Sequence, residues 1–255
     1  MADELKFEVK GHVAWLTMNR PEVHNALSYA LNQALADAWE EVKNNDDIWI
    51  AVLTGAGRSF CSGMDLKERA QVDAAGEDWS KKHTIGNAMP DGVWKPVIAA
   101  IRGYCLAGGW QLAQLSDFRF VSDQATLGIR EVKRGLMPAW TVDLPRIIGL
   151  GNALEVVLTG EYITPQRALE MGFATRVVPD DKLYEEVEAF AAILEENAPL
   201  SVRGLKEVLY RGVTLTRQEG MQIAGHILAP IKYSEDIKEG PRAFAEKRAP
   251  VWKGR

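Results

Sequence analysis

The sequence predicts an α/β fold, because short apolar runs typical of strands alternate with amphipathic stretches typical of helices. Ile48–Thr54 and Val97–Ile101 are continuous apolar runs of strand length, and each leads into a loop that contains glycine. Such runs are typical of strands buried on both faces of a parallel sheet. The core is therefore predicted to be built from strands and helices in alternation.

The other elements follow from the same patterns. Three further strands are predicted, at Val13–Met18, Phe118–Ser122 and Thr175–Val178. Helical spacing with an N-cap residue or a glycine stop predicts helices at Ser28–Asn44, Gly151–Thr159 and Thr164–Met171. After Asp180 strand signals fade, and helices are predicted at Leu183–Leu194, Pro199–Gly212 and Arg217–Leu228. No linker or repeat separates these parts, so a helical extension of an α/β core is expected.

Composition and charge narrow the class of protein. The chain of 255 residues is 47% hydrophobic and 25% charged, which is sufficient for a sizeable globular core. Its net charge of -5, without a long Lys/Arg run, argues against binding to nucleic acid or to an anionic membrane.

Cysteine usage and the N-terminus point to a reducing compartment. Cys61 and Cys105 lie in no Cys-x-x-Cys motif and beside no histidine cluster, so both are expected to pack as small apolar groups rather than bind metal. The N-terminus lacks the layout of a secretory signal, and no apolar stretch approaches bilayer-spanning length. A soluble, cytoplasmic protein is predicted.

Two glycine-containing turns are candidates for function. Gly55–Lys67 follows a predicted strand, and it is either a ligand-binding loop or a tight loop that caps a helix through Asp65. In Gly103–Gln111, glycines lead into an apolar helical run, whose free N-terminal N–H groups favour developing negative charge. Two such turns, each offering one backbone N–H, could hold a carbonyl oxygen between them, with Glu131 as a general acid/base.

Six motifs, in order and at matching spacing, resemble those of the crotonase (enoyl-CoA hydratase/isomerase) family. They are Leu16-Thr-Met-Asn-Arg-Pro-x-x-x-Asn-Ala-Leu27, Phe60-Cys-Ser-Gly-Met-Asp-Leu66, Lys95-Pro-Val-Ile-Ala-Ala100, Gly103-Tyr-x-x-Ala-Gly-Gly109, Leu158-Thr-Gly160 and Glu239-Gly-Pro-Arg-Ala-Phe-x-Glu-Lys-Arg-x-Pro-x-Trp-Lys-Gly-Arg255. The resemblance runs from end to end of the chain, and an ordered set of motifs is far more specific than any one of them.

The resemblance implies a spiral of ββα units that binds acyl-CoA thioesters. Residues 1–195 would form the core with the CoA-thioester site, and residues 196–255 a C-terminal helical region that makes homotrimers, often paired into hexamers. Coenzyme A would be part of the substrate, and no metal or redox cofactor is expected.

The resemblance also assigns roles to four residues at the reaction centre. By motif position, the backbone N–H groups of Met64 and Gly108 would stabilise a thioester enolate. Gln111 and Glu131 occupy the positions of two glutamates that flank the thioester in hydratases. Glu131 would be the acid/base, whereas Gln111 cannot titrate and would position water or a substrate group. Without the resemblance, Glu131 would be interpreted as a surface glutamate.

A wider set of residues is expected to bind substrate. They are His24, Ala26, Ser62, Gly63, Asp65, Leu66, Trp140, Phe244 and Lys247. Phe244 and Lys247 match positions that contact CoA, often across a subunit boundary, although Lys247 could also be a plain surface lysine. His24 is expected either to lie near the CoA adenine or to be a loop histidine without a functional role. Asp143 is predicted to cap the following helix, with a second acid as the alternative.

Gln111 and Trp140 depart from the hydratase pattern, and Trp140 stands where many hydratases have glycines. A single glutamate and the Pro-x-Trp pattern resemble the Δ3,Δ2-enoyl-CoA isomerase branch. These two departures favour isomerisation or a specialised hydratase. Hydration of a 2-enoyl-CoA is nevertheless the leading prediction, with isomerisation of a 3-enoyl-CoA or decarboxylation as alternatives. The acyl pocket is expected to depend on residues 67–93. A non-catalytic or RNA-binding member is the alternative of another class, against which the acidic balance argues.

Overall fold

The computed structural model of the protein describes residues 4–77 and 88–255, and a six-stranded sheet lies at its centre. The strands in chain order are β1 Leu5–Lys10, β2 Val13–Met18, β3 Ile50–Gly55, β4 Val97–Ile101, β5 Tyr104–Leu106, β6 Phe118–Ser122, β7 Thr126–Gly128 and β8 Arg176–Val178. The central sheet has the order β1-β2-β3-β4-β6-β8, while β5 and β7 form a separate two-stranded sheet. Only the β1–β2 pair is antiparallel among these pairings.

The helices fill the segments between and after the strands. They are α1 Tyr29–Asn44, α2 Leu66–Ala74, α3 Gly108–Gln114, α4 Leu144–Ile148, α5 Leu150–Thr159, α6 Pro165–Glu170, α7 Leu183–Glu195, α8 Pro199–Gly212, α9 Arg217–Ile231 and α10 Asp236–Glu246. Short 3-10 helices lie at Pro21–Val23, Glu131–Arg134, Ala139–Asp143 and Asp180–Lys182.

Both faces of the central sheet are buried, as the apolar runs predict. On one face, Leu16 and Leu53 belong to a core cluster that includes Leu35 of α1. On the other face, Val52 and its neighbours pack in a second cluster with Val187 of α7. Successive side chains of a strand point to opposite faces, so a strand covered on both sides must be apolar throughout.

A smaller layer lies beside the central sheet and carries the loops of interest. β5 pairs with β7 in parallel, and Cys61 forms an isolated bridge with Cys105 of β5. Further bridges join Leu27 to Met64 and Leu127 to Ile163. These contacts bring together segments that are far apart in sequence, at the carboxyl ends of β3 and β5.

The predicted elements of the core are confirmed, with ends shifted by up to three residues. Ser28 and Thr164 accept hydrogen bonds from the N–H groups of Leu31 and Arg167, so both predicted N-caps are confirmed. Three strands, β1, β5 and β7, and the helix α10 were not predicted from the pattern. β1 is an edge strand in which Lys6, Glu8 and Lys10 form an exposed polar face.

The last strand ends at Val178, and the described chain beyond it is helical. This agrees with the predicted helical extension. The division at residue 195 and the assembly into trimers stay predictions. Residues 78–87, which belong to the stretch expected to shape the acyl pocket, lie outside the described residues.

Candidate active site

The loop after β3 is held against β5 by backbone hydrogen bonds. The N–H of Cys61 donates to the carbonyl oxygen of Tyr104 at 2.8 Å, and the N–H of Leu106 donates to that of Cys61 at 3.0 Å. At Gly109 a Cβ would lie 2.3 Å from the carbonyl oxygen of Cys61, so only glycine fits there. The loop and the start of α3 are therefore in direct contact.

The first predicted oxyanion donor, Met64, has a free backbone N–H. The N–H of Leu27 donates to Gly63 at 2.8 Å, and the N–H of Asp65 donates to Leu27 at 3.1 Å. These two hydrogen bonds use the carbonyl oxygen of Gly63 and the N–H of Asp65, the residues on either side of Met64. Within residues 4–77 and 88–255, the N–H of Met64 itself has no acceptor.

The second predicted donor, Gly108, is the first residue of α3. Its N–H points out of the helix end and also lacks an acceptor among the described residues, as expected for the first turn. Ala107 precedes it with φ 53 and ψ -120, a conformation that alanine rarely adopts. Ala107 is held there because its N–H donates to Gly128 at 3.0 Å and its carbonyl oxygen accepts from Gln111 at 3.1 Å.

The two turns come within van der Waals distance of each other. A Cβ built on Gly108 would lie 3.9 Å from the nitrogen of Met64 and 2.9 Å from Cδ1 of Leu27. Gly63, with φ +93, lies opposite Ala107. Two N–H groups without an acceptor among the described residues, one of them on the first residue of α3, are the kind of donors that the predicted oxyanion site requires.

Glu131 is brought to this site by the pairing of β5 with β7. Leu106 pairs with Gly128, and Glu131 opens a 3-10 helix three residues later. The side chain is half-buried, and its Oε2 is buried with no hydrogen-bond partner among the described residues. Burial raises the pKa of this carboxyl group, and the backbone N–H of Glu131, the charge of Arg134 and the backbone N–H of Arg130 offset only part of the effect. A carboxyl group in this state holds a proton more readily than an exposed glutamate does.

Gln111 lies on the first turn of α3 and is 8% exposed. Its Oε1 is buried and, within the described part of the chain, has no partner. The amide cannot change charge in any accessible pH range, but this oxygen is free to accept a hydrogen bond from water or a ligand. Gln111 and Glu131 thus each carry one buried oxygen that has no partner among the described residues.

Sequence reasoning missed Gln114, which lies one turn further along α3. It is 3% exposed, its Nε2 donates to the carbonyl oxygen of Trp140 at 3.4 Å, and its Oε1 is buried without a described partner. Its spacing of three residues from Gln111 was the available signal, because residues i and i+3 share a helix face. Trp140 itself packs against the main core cluster.

The loop interpretation of Asp65 is confirmed, and its side chain has structural partners. It accepts from the N–H groups of Lys67 and Glu68 as the N-cap of α2 and pairs with Arg20 at 3.0 Å. Burial raises its pKa, but the N–H of Glu68 and the guanidinium of Arg20 outweigh this and lower the pKa overall. Its contacts therefore explain how the loop is held, and substrate binding by Asp65 stays a prediction.

The predicted capping role of Asp143 is wrong. Asp143 does precede α4, but its φ of -87 and ψ of -13 are helical, and its side chain makes no capping hydrogen bond. The preceding 3-10 helix runs through this residue, so its backbone is not in the extended conformation that an N-cap uses. The carboxylate forms an ion pair with Arg146 instead.

The remaining predicted binding residues fall into two groups. His24, Ala26, Ser62, Gly63 and Leu66 lie on the two segments joined by the Leu27–Met64 bridge. The ring nitrogens of His24 contact Ser59 at 2.9 Å and Arg58 at 3.1 Å. Phe244, which is 87% exposed, and Lys247 lie at the end of α10. Their role in binding substrate stays a prediction.

Cys61 and Cys105 are buried and free, and burial raises the pKa of both thiols. Across residues 4–77 and 88–255, His, Cys, Asp and Glu side chains form no group of three or more that could hold a metal ion. In the same ranges, every helix is too short or too polar to cross a bilayer.

Two backbone N–H groups with no acceptor in the described ranges, in turns that contact each other, and a buried carboxyl group are features that enzymes use to stabilise an oxyanion. A family model described as enoyl-CoA hydratase/isomerase matches residues 8–255. An enoyl-CoA hydratase of Mycobacterium tuberculosis is 38% identical, over 97% of this chain and 96% of that protein. The (E)-benzylidenesuccinyl-CoA hydratase of Thauera aromatica is 35% identical, over 97% of this chain and 98% of that protein.

Similarity in structure agrees with similarity in sequence. The crystal structure of a probable enoyl-CoA hydratase/isomerase from Mycobacterium abscessus has a TM-score of 0.90 and 39% identity, covering 100% of both chains. The chain therefore belongs to the enoyl-CoA hydratase/isomerase family of the crotonase superfamily. It is an acyl-CoA-processing enzyme with the crotonase fold, as the sequence motifs predict.

Proposed function

We propose that this enzyme adds water to the double bond of a 2-enoyl-CoA, with the thioester oxygen held by the N–H groups of Met64 and Gly108. One observation supports the proposal: the N–H groups of Met64 and Gly108 lack an acceptor among the described residues and lie in two turns that contact each other. Glu131, whose Oε2 is buried and also without a described partner, follows β7 by three residues, and β7 pairs with β5 just before Gly108. Each oxyanion donor contributes about 3–4 kcal/mol of transition-state stabilisation in comparable sites.

In the proposed reaction Glu131 acts twice. As a carboxylate it takes a proton from water while the water oxygen bonds to C3 of the substrate. The π electrons of the C2=C3 bond move to form an enolate, whose oxygen accepts hydrogen bonds from Met64 and Gly108. Protonated Glu131 then returns the proton to C2, which gives the 3-hydroxyacyl-CoA. The raised pKa of Glu131 favours the first step, because a less acidic carboxyl group is the stronger base and holds the transferred proton until it is returned to C2.

Gln111 is proposed to hold the attacking water. Its unpaired Oε1 can accept one hydrogen bond from the water, while Glu131 accepts the proton that is transferred. Gln111 thus orients the nucleophile without exchanging a proton. Two of the relatives are named as hydratases, one of enoyl-CoA and one of (E)-benzylidenesuccinyl-CoA, and both names agree with hydration.

Isomerisation of a 3-enoyl-CoA is the second candidate, and the amide at Gln111 favours it. A shift of the double bond needs one group that removes a proton from C2 and returns it to C4. The same oxyanion site would stabilise the dienolate intermediate. Glu131 alone could perform both transfers, and Gln111 would then have no water to hold.

The CoA portion and the assembly belong to the same proposal. An aromatic side chain that is 87% exposed, Phe244, and the nearby Lys247 suit contact with the CoA of this chain or of a neighbouring subunit in a homotrimer. Coenzyme A is the only cofactor-like group in this scheme, and it is part of the substrate.

The test uses two substrates and three variants. Crotonyl-CoA loses its conjugated thioester absorbance on hydration, whereas 3-hexenoyl-CoA gains it on isomerisation. Glu131→Gln is expected to lower either rate by about 10²–10⁴. Gln111→Leu is expected to lower hydration and to leave isomerisation nearly unchanged. Glu188→Gln, at an exposed position of α7, is the matched control. Near-full hydration by Glu131→Gln would contradict the proposal, and turnover of 3-hexenoyl-CoA alone would favour isomerisation.

A further inference from the structure

Two N–H groups in the loop of Met64 are taken by one short segment of the chain, which lies just before α1. The N–H of Ser62 donates to the carbonyl oxygen of His24 at 3.0 Å, and the N–H of Asp65 donates to that of Leu27 at 3.1 Å. The N–H of Met64 lies between them in the chain and has no acceptor among the described residues. The position of the segment therefore decides which N–H of the loop stays free for a ligand.

This segment, residues 24–27, begins with an unusual backbone conformation. His24 has a φ of 53 and Asn25 a φ of 55, so two successive residues lie in the left-handed region. The region is uncommon for residues other than glycine, although asparagine and histidine are among those enriched in it. Two such residues in succession need contacts that hold them in place.

The side chain of Asn25 makes those contacts, and it is fully buried. Its Nδ2 donates to the carbonyl oxygens of Ala56 at 3.0 Å and Ser59 at 2.7 Å, both in the loop after β3. Its Oδ1 accepts from the N–H of Arg20 at 2.8 Å. The carbonyl oxygens can only accept and the N–H can only donate, so these partners also fix the orientation of the amide. Asn25 thus ties residues 24–27 to the loop after β3.

The end of β3 leaves space for this amide. Gly55 is the last residue of β3, and a Cβ there would lie 2.5 Å from Nδ2 of Asn25. The same Cβ would lie 2.3 Å from the carbonyl oxygen of Ser59, which accepts from Asn25. The amide therefore lies against the strand end at which the loop to Met64 begins.

We propose that Asn25 is a positioning residue, which holds residues 24–27 against the loop after β3 so that the N–H of Met64 faces the thioester oxygen. The proposal rests on the proposed function, because it needs a thioester at Met64 and Gly108. The buried side chain of Asn25 acts through the backbone of its segment. Without its hydrogen bonds the loop shifts, and the N–H of Met64 donates at a longer distance or a poorer angle, either of which weakens the bond steeply.

The test observes the thioester carbonyl of bound butyryl-CoA, which has no double bond to hydrate. A hydrogen bond to a carbonyl group lowers its stretching frequency, so infrared difference spectra with an isotope-labelled carbonyl report how well the two donors are placed. In the wild type the band is expected to move to lower frequency on binding. A loss of folded protein would reduce the amplitude of this band without changing its position, which separates positioning from a merely structural role.

Asn25→Gly keeps the left-handed backbone and removes the three side-chain hydrogen bonds. It is expected to lose about half of the frequency shift, since Met64 is one of two donors. Its kcat for crotonyl-CoA should fall by about 10–10², and its Kd for butyryl-CoA should change by less than about threefold, because an enolate depends on the donors more than a thioester does.

Asn25→Asp is the conservative variant. A carboxyl group buried beside the carbonyl oxygens of Ala56 and Ser59 takes up a proton, and it then donates one hydrogen bond where the amide donates two. Its frequency shift and its kcat are expected to lie between those of the wild type and Asn25→Gly.

Asn152→Ala, on α5, is the matched control. Asn152 also uses both ends of its amide, since Nδ2 donates to Ile148 at 2.7 Å and Oδ1 accepts from Arg167 at 2.8 Å. The control is expected to keep the wild-type band position and kcat.

A frequency shift retained in full by Asn25→Gly or by Asn25→Asp would overturn the inference and leave the proposed function standing. An equal loss of the shift in Asn152→Ala would also overturn it, because the effect would then not be specific to Asn25. A wild type that does not bind butyryl-CoA, or binds it without a shift, would overturn the inference and the proposed function together. Should Asn25→Gly not fold, the comparison of Asn25→Asp with the wild type decides.

Discussion

Gly63 and Ala107 lie face to face, and each precedes one of the two free N–H groups. A Cβ on Gly63 would lie 2.7 Å from the Cβ of Ala107 and 3.2 Å from the nitrogen of Gly108. Both residues have positive φ, +93 at Gly63 and +53 at Ala107. The separation of the oxyanion donors is therefore set by the contact of one glycine with one strained alanine.

The first prediction concerns this contact. Gly63→Ala is expected to push the two turns apart and to lower kcat by about 10²–10³, the loss seen when one oxyanion donor is removed. Gly76→Ala is the matched control, since Gly76 also has positive φ but a Cβ there would meet nothing within 4 Å. Both variants should lose about 1–2 kcal/mol of stability through backbone strain, and only Gly63→Ala should lose activity. Thermal unfolding and turnover of an acyl-CoA measure the two effects; equal activity of both variants would contradict the prediction.

The second prediction concerns the buried carboxyl group of Glu131. Burial raises its pKa above the ordinary value of 4.5, so the unfolded chain loses this proton at a lower pH than the folded protein does. Below about pH 4.5, Glu131 is protonated in both the folded and the unfolded state, and its burial does not lower the free energy of unfolding. As the pH rises through the folded pKa, stability falls, and above it the full cost is present. Glu131→Gln should therefore gain in Tm relative to the wild type as the pH rises from 4 to 8, while losing activity. A Tm difference that does not change with pH would contradict this.

The third prediction restores a second carboxyl group beside Glu131. Gln111→Glu is expected to increase hydration of crotonyl-CoA by about tenfold or more, because a second acid/base can share the proton transfers. Two carboxyl groups at one site titrate together, so the pH profile should gain a second ionisation. Isomerisation of 3-hexenoyl-CoA should change little, since it uses one carboxyl group. An unchanged hydration rate with a single ionisation would argue that Gln111 holds no water.

The elements of the fold that sequence could predict are those whose signals are local. The N-cap of α1 is an example, because Ser28 and the N–H of Leu31 that it accepts from are three residues apart. The strands β3 and β4 could be predicted because burial on both faces leaves an unbroken apolar run. β5 and β7 could not, since three-residue strands carry no periodicity and are defined only by their pairing. The capping prediction for Asp143 was wrong for a related reason. Aspartate is a common N-cap residue, but Asp143 belongs to the preceding 3-10 helix, and this gives its backbone a helical conformation.

Some residues of the candidate site could likewise be assigned from the sequence, and others could not. Met64 and Gly108 are assigned by motif position, because a backbone N–H leaves no trace in the side chain. Glu131 is assigned by the same motif match, since its residue type alone would favour a surface glutamate. Gln114 was not identified from the sequence, because nothing in the sequence distinguishes its environment from that of Gln111. Burial separates a free surface amide from an unpaired buried oxygen, and burial depends on Trp140 and on segments far along the chain.

The fourth prediction concerns the ion pair that joins the helical extension to the core. Lys206 of α8 and Asp117 are both about nine-tenths buried and lie 2.6 Å apart. Asp117 also accepts from the N–H of Val97 at 2.7 Å, at the start of β4. Lys206→Met would leave a buried carboxylate without its cation, which typically costs about 3–5 kcal/mol.

Lys182→Met is the matched control for this pair. Lys182 pairs with Glu185 at 2.8 Å, but both side chains are more than half exposed, so water replaces the lost partner and stability should not change measurably. Urea unfolding of both variants measures the difference. Burial lowers the pKa of Lys206, and the attraction of Asp117 opposes this without fully offsetting it. Because the folded pKa lies below the unfolded one, the unfolded chain holds this proton up to a higher pH than the folded protein does, so the wild type should gain stability relative to Lys206→Met as the pH rises toward the ordinary lysine pKa of 10.5. Equal stability of the two variants would mean that α8 is held by its apolar contacts alone.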